Sequence, residues 1–286
     1  MSFHIFGLKK KRVKSLGLGI FDGFHLGHAL IAKKATGILT FYPHPDIFLG
    51  KNKALKMLST LREQRYFNKN LLVLRFNDVI ASLDPQQFLD KIVKEIINPK
   101  KIIVGEDFKF GKKQVGDVCF LKKWGQVNDI DVETIKLLSQ KEQVVKSTLI
   151  RRMILDGKFN EAISKLGHPY LIIGKVIRGD GRGRQIGFPT ANITTPKDKL
   201  IPTSGVYSGY VILDKKKLAS LIYIGTRPTF KTKNLAVEVH ILKFQKNIYN
   251  RNLKVFLDKK VREDCEFSDV SALVKQIELD IKTLKK

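Results

Sequence analysis

Halfway along the chain the rhythm of the apolar segments changes, and this limits the possible folds more than any single motif. In the first half, strand-like runs at Leu16–Phe21, Ile38–Tyr42, Leu71–Phe76 and Lys101–Val104 alternate with helical spacing over Leu26–Ala35, Ser59–Asn68 and Pro85–Ile97. Such alternation predicts a parallel sheet with helices on both faces. From Tyr170 onward the helices drop out. Tyr170–Ile177, Val206–Leu213, Leu218–Ile224, Ala236–Phe244 and Leu253–Leu257 read as strands, most of them separated by short turns. That pattern predicts an antiparallel sheet or barrel. A last helix is expected from Asp269, with Val270, Leu273, Val274, Ile277, Ile281 and Leu284 on one apolar stripe. Ser147–Leu166 reads as helix interrupted at Gly157, and the boundary is placed there. The expected domains are 1–157, a doubly wound parallel-sheet α/β domain, and 158–286, a mainly β domain with a terminal helix. A chain of 286 residues is long enough for two such domains.

Composition removes some function classes. No apolar run approaches the ~20 residues needed to cross a bilayer, and no apolar segment follows the basic start Met1–Ser15 as a signal peptide requires. Cys119 and Cys265 stand far apart with no CxxC, which gives neither a disulfide framework nor a zinc site. A cytoplasmic protein is expected. The net charge of +26 raises nucleic acid as a partner. However, only 12 of the 53 basic residues are arginine, the side chain suited to reading bases, and the lysines are scattered in pairs and triplets such as Lys9–Arg12 and Lys215–Lys217. A solvated lysine surface accounts for this better than a dedicated nucleic-acid site.

Two strings carry chemistry. Gly19-Ile-Phe-Asp-Gly-Phe-His-Leu-Gly-His28 follows an apolar strand and opens a helix. A helix start after a glycine turn offers free N–H groups and partial positive charge to a phosphate. His25 and His28 lie on its first turn, where imidazoles can donate to phosphate oxygens as charge shifts. The second string, Gly179-Asp-Gly-Arg-Gly-Arg-Gln-Ile-Gly-Phe-Pro-Thr-Ala-Asn192, has no GK[ST] and is not a Walker A loop. Its glycines permit close approach of backbone to an anion. A threonine hydroxyl and an asparagine amide are suitable Mg²⁺-nucleotide ligands. Glu238, within Ala236-Val-Glu-Val-His-Ile-Leu242, alternates with Val237 and Val239; on pattern alone it is equally an exposed strand residue or a general base.

The first string resembles the HxGH motif of the nucleotidylyltransferase superfamily. More narrowly, the chain resembles the bacterial bifunctional riboflavin kinase/FMN adenylyltransferase family over almost its whole length. Thr40-Phe-Tyr-Pro-His-Pro45, Val104-Gly-Glu-Asp-Phe-Lys-Phe-Gly111, Ser147-Thr-Leu-Ile-Arg151 and Gly187-Phe-Pro-Thr-Ala-Asn192 match further family segments in the right order. The resemblance implies an N-terminal nucleotidylyltransferase domain and a C-terminal riboflavin-kinase-like β-barrel. It implies that Phe21, Asp22, Gly23, His25, Gly27 and His28 surround ATP phosphates, that Ser147, Thr148 and Arg151 close over them, and that Pro43, His44, Pro45 and Asp107 face the flavin. In the second domain it implies ATP binding by Gly179, Gly181, Gly183, Arg184, Gly187, Pro189 and Asn192. Metal binding would fall to Thr190 and Asn192, proton abstraction to Glu238 and a flavin-side loop to Arg262. Riboflavin, FMN and ATP are the implied substrates and Mg²⁺ the implied cofactor. The chain departs from the family at Lys146, in place of a serine, at Lys243, in place of an aspartate, and at Tyr249-Asn250, in place of Tyr-Gly. Two other readings stay open at this point: a chain that is a kinase only, with a degraded first site, and a basic RNA-binding protein on a vestigial nucleotide fold.

Overall fold

The computed structural model describes residues 12–140, 143–226 and 235–284; most of the basic Lys9–Arg12 cluster lies outside them. The chain divides into two compact units, Met1–Met57 with Gln64–Lys146, and Leu58–Glu63 with Ser147–Lys286.

The first unit is a parallel five-stranded sheet of β1 (Ser15–Leu18), β2 (Gly37–Tyr42), β3 (Leu71–Arg75), β4 (Lys101–Gly105) and β5 (Asp131–Ile135), in the order β3-β2-β1-β4-β5. The strands are near-continuous apolar runs because both faces are covered. Alternate residues go to opposite sides: Leu16, Leu39, Ile102 and Val104 join one core, and Ile38 and Ile103 join the other. Helix α1 (Leu26–Lys34) supplies Ile31 to the second core, and the π-helical stretch Leu89–Ile97 supplies Leu89, Ile92, Val93, Ile96 and Ile97 to the first. Each such side chain, once fully buried, contributes roughly 1.5–3 kcal/mol. The strand order reverses about β1 and β4, and a doubly wound sheet binds ligands beyond the carboxyl ends at such a point. The expected first strand is shorter than its apolar run; it stops at Leu18 because Phe21 turns left-handed at φ 54°. The edge strand Asp131–Ile135, where Glu133 and Thr134 stand together between Val132 and Ile135, shows no clear period in the sequence.

The second unit is a closed six-stranded antiparallel barrel. Its strands follow one another around the barrel as Gly205–Leu213, Lys216–Thr226, Leu235–Ile241, Ala191–Ile193, Tyr170–Ile177 and Asn252–Arg262. Helices Ser147–Leu155 and Phe159–Leu166 precede it, separated at Gly157, whose φ of 76° ends the first. Three expectations are corrected. The strand expected to reach Phe244 ends at Ile241, since Lys243 adopts φ 53°. A short helix, Arg182–Gln185, lies between the first two barrel strands of the chain, inside the glycine-rich string. The terminal helix Val270–Thr283 forms, with the Asp269 carboxylate accepting the Ala272 N–H at 2.8 Å, but its apolar stripe is only half-buried and Val270 is 60% exposed. The buried residue of that helix is Asp280, which accepts Arg262 Nε at 3.0 Å and Gln276 Nε2 at 2.8 Å.

The segment Leu58–Glu63 is a strap on this second unit. Glu63 and Lys199 are both wholly buried and pair at 2.9 Å. Lys199 Nζ also donates to the Leu58 and Leu171 carbonyls at 2.6 and 2.7 Å, and lies 4.0 Å from the centre of the Tyr170 ring. The other Glu63 oxygen accepts the Ile173 N–H at 2.9 Å. All three Lys199 donors are used and both Glu63 oxygens accept hydrogen bonds, as a tolerable buried ion pair requires.

Candidate active sites

At the carboxyl end of β1 the chain makes a tight turn before α1. Phe21 and Phe24 both hold left-handed φ, at 54° and 48°, which is unusual for large side chains and found where a site over-determines the backbone. The Thr40 hydroxyl donates to the Ile20 carbonyl at 2.7 Å and fixes the turn from the neighbouring strand. His25 caps α1: its Nδ1 accepts the His28 N–H at 3.4 Å. The two imidazoles stack with centroids 3.7 Å apart, and the Phe21 ring lies 5.0 Å from His28. Burial, followed by the neighbouring His25, holds His28 well below the usual histidine range, so it is neutral near pH 7. Its buried Nδ1 has no hydrogen-bond partner among the described residues. Unsatisfied buried polar atoms are rare and cluster at sites that expect a ligand. Phe21, Asp22, Gly23, His25, Gly27 and His28 are thus gathered in one turn.

Next to this turn a cavity of 710 Å³ is lined by Gly19, Ile20, His44, Pro45 and Asp107. Pro43 precedes it through a cis peptide bond, and His44 Nδ1 accepts the Asp46 N–H at 3.1 Å, which starts the short helix Pro45–Phe48. The cavity wall is aromatic: Phe41, Phe76, Phe88, Phe108 and Phe110, with Phe108 and Phe110 stacked at 5.4 Å. An apolar wall with a few polar groups suits a planar ring with polar edges. These aromatics were not singled out from sequence, although Phe108 and Phe110 stand inside the quoted Val104–Gly111 segment. Asp107 pairs with Lys146 at 2.6 Å, both about half exposed, so the serine-to-lysine departure gains an ion pair of little energetic weight. Ser147, Thr148 and Arg151 sit on the helix Ser147–Leu155 of the second unit, with Ser147 and Arg151 one turn apart on one face.

In the barrel, Glu238 lies between two cross-strand neighbours, Asn192 on one side and Tyr223 on the other. Val237 and Val239 point into the core at 1% and 0% exposure, so Glu238 faces outward. The Thr190 hydroxyl donates to the Glu238 carboxylate at 3.1 Å. Gly179 covers Asn192 so closely that a Cβ there would fall 2.0 Å from the Asn192 amide, and only glycine fits. Gly181 and Gly187 use positive φ to turn the loop, and Gly183 packs against the Phe188 carbonyl. A second cavity, of 620 Å³, is lined by Arg184, Gly187, Pro189, Thr190 and Tyr249 among others. His240 was not anticipated. Its Nδ1–H donates to the Pro189 carbonyl at 2.9 Å while its ring meets Phe188 edge-on at 5.5 Å, which pins the turn that carries Thr190. Its place two residues after Glu238, on the same face, is the signal that was available. Arg262 is bound to Asp280, and to the Cys265 sulfur at 3.1 Å, and of the groups around Glu238 its charge acts on Tyr223.

A family model described as FAD synthetase matches residues 8–149, and one described as riboflavin kinase matches residues 166–286. Fold and site together define a two-part, ATP-using flavin transferase. Bifunctional riboflavin kinase/FMN adenylyltransferase from Buchnera aphidicola subsp. Schizaphis graminum is 36% identical, covering 99% of this chain and 96% of the relative. The proteins of the same description from Bacillus subtilis and Escherichia coli K12 are 32% and 34% identical, over 96% and 93% of this chain and 92% and 90% of the relatives. The chain belongs to the bifunctional riboflavin kinase/FMN adenylyltransferase family. A crystal structure from Streptococcus pneumoniae described as a macrolide-efflux protein has the same fold, with TM-score 0.86 and 28% identity over 98% of this chain and 96% of that one. Among the described residues of the present chain, no helix is long and apolar enough to cross a membrane. The matches favour neither a kinase-only chain nor an RNA-binding protein.

Proposed function

We propose that residues 158–286 carry the groups that make FMN from riboflavin and ATP, and residues 1–157 most of those that convert FMN to FAD with a second ATP. The observation that carries the kinase assignment is the Thr190–Glu238 hydrogen bond, because it joins a phosphate-side hydroxyl to a carboxylate on the neighbouring strand. Glu238 accepts the proton of the ribityl 5′-hydroxyl as its oxygen bonds to the γ-phosphorus of ATP and the bond to the ADP oxygen breaks. Gly179, Gly181, Gly183, Arg184, Gly187 and Pro189 shape the loop against the nucleotide, and Arg262 belongs to the flavin-side segment.

Among the described residues no group of three or more His, Cys, Asp or Glu could cage a metal. Thr190 and Asn192 instead offer a hydroxyl beside Gly183 and an amide oxygen under Gly179. That set fits Mg²⁺, which is commonly held by few protein groups together with water and phosphate oxygens. Bound there, Mg²⁺ supplies charge neutralisation at the phosphates.

In the first unit, His25, His28 and the turn Phe21–Gly23 hold the ATP phosphates, with Gly27 leaving room; the family motif assigns Ser147, Thr148 and Arg151 to ATP as well. Pro43, His44, Pro45 and Asp107 line the flavin side. A phosphate oxygen of FMN bonds to the α-phosphorus and pyrophosphate leaves; positioning and charge carry the step, with no protein nucleophile. The exposed thiols Cys119 and Cys265 suit a reducing, cytoplasmic setting. Purified protein incubated with riboflavin and Mg-ATP, with flavins separated chromatographically, tests the reading. FMN followed by FAD is expected. FMN alone would reduce the chain to a kinase, and unchanged riboflavin would refute the assignment.

A further inference from the structure

Glu238 has a nucleotide side and another side. The strand on its first flank carries Asn192, next to Thr190 and under the Gly179 loop. The strand on its second flank carries Tyr223, directly opposite Glu238 in register. Phosphoryl transfer places the attacking and leaving oxygens in line, on opposite sides of phosphorus. If ADP departs on the Asn192 side, the attacking hydroxyl that Glu238 deprotonates comes from the Tyr223 side.

Tyr223 is built into that place. Its hydroxyl donates to Asp264 at 2.9 Å, and Asp264 also accepts the Ser204 hydroxyl at 3.4 Å. A Cβ on Gly225 would fall 2.1 Å from the Tyr223 oxygen, so the phenol lies along its own strand over a residue that has to be glycine. The ring is partly exposed, and Ile222 and Ile224 beside it are fully buried. Burial, then the bond to Asp264, pushes its pKa up to about 12, so the hydroxyl remains a donor throughout the working pH range.

We propose that Tyr223, anchored by Asp264, forms the acceptor wall of the kinase site: a specificity-determining residue that seats the aromatic acceptor so that its primary hydroxyl reaches Glu238. This rests on the kinase reading above. A phenol fixed at its oxygen presents a rigid face to a planar ring, an arrangement worth roughly a ten-fold change in affinity.

The test uses the full chain. FMN formation is measured with riboflavin varied at saturating Mg-ATP, then with Mg-ATP varied at saturating riboflavin. Tyr223→Ala should raise the riboflavin KM roughly ten-fold and leave the ATP KM within about two-fold. Tyr223→Phe keeps the ring and loses the anchor, and Asp264→Ala loses the anchor from the other end; both should raise the riboflavin KM by a matching, smaller factor of about three. A merely structural latch would move both KM values or neither. Unchanged riboflavin KM in Tyr223→Ala and Tyr223→Phe, or an equal rise for ATP, would overturn the proposal while leaving Glu238 as the base. Tyr223→Phe, the least disruptive variant, keeps the test decisive if Tyr223→Ala does not fold. Absence of FMN from the wild-type chain would overturn the kinase reading itself, a different result.

Discussion

The Thr190 hydroxyl donates to the Glu238 carboxylate at 3.1 Å across two neighbouring barrel strands. The bond orients an acceptor oxygen of Glu238 on an outward-facing strand. Glu238→Gln keeps the shape and removes the base. Riboflavin phosphorylation should fall by roughly 10²–10⁴-fold, while FMN added directly still becomes FAD. Single-turnover assays with each flavin measure the two steps separately.

Gly179→Ala places a methyl group 2.0 Å from the Asn192 amide. Either the loop or Asn192 has to move, and both belong to the nucleotide side. The ATP KM of the kinase should rise by at least about ten-fold, with the riboflavin KM little changed. Steady-state kinetics with each substrate varied in turn gives the comparison.

His28→Ala should impair FAD formation from FMN and leave FMN formation intact, because the stacked pair His25–His28 belongs to the first unit. The same residue gives a pH signature. Its pKa is lowered in the folded chain by burial and by His25. As pH falls below about 6.5 the unfolded chain takes up a proton that the folded chain refuses, so native stability drops. In a folded His28→Gln variant this part of the acid sensitivity should vanish. Melting temperatures at pH 7.5 and 5.5 for both proteins check it: an identical acid-induced drop would refute the linkage.

Glu63→Ala strands the Lys199 ammonium at 0% exposure and should destabilise the second unit by about 3–5 kcal/mol. The double variant Glu63→Leu with Lys199→Met removes both charges and should recover most of that loss. Denaturant unfolding of the three proteins decides it. The same bond predicts that a fragment beginning at Lys158, which holds all the proposed kinase groups but lacks Glu63, folds poorly unless Lys199 is also replaced; circular dichroism of the two fragments is the check.

Much of this was legible in the sequence, for physical reasons that differ by region. The sheet of the first unit and the barrel of the second follow from helical and two-residue periods that burial enforces, as at Ile38, Leu39, Val237 and Val239. Glu238 is ambiguous by period alone, and only the family motif points to it. His240 and Tyr223 were missed because a side chain's role in a barrel depends on which strand lies beside its own, and register is not written in local spacing. The terminal helix shows the reverse error. Its apolar stripe predicted a buried face, yet its buried residue is the acid Asp280, held by Arg262 at the end of the preceding strand. The short strand Ala191–Ile193 hid inside a motif read as a loop.

The strap Leu58–Glu63 also has a consequence in time. Glu63 leaves the ribosome 136 residues before Lys199. At about 5–20 residues per second that is roughly 7–27 s. During this interval the emerging N-terminal half holds a carboxylate whose only interior place does not yet exist. Translation therefore cannot finish the two units one after the other like beads on a string: the later unit closes around a piece of chain made before the earlier one was complete. A stall between the two positions would leave Glu63 in water, accessible to protease, and protection of the Arg62–Glu63 region in nascent chains should appear only once Lys199 has emerged.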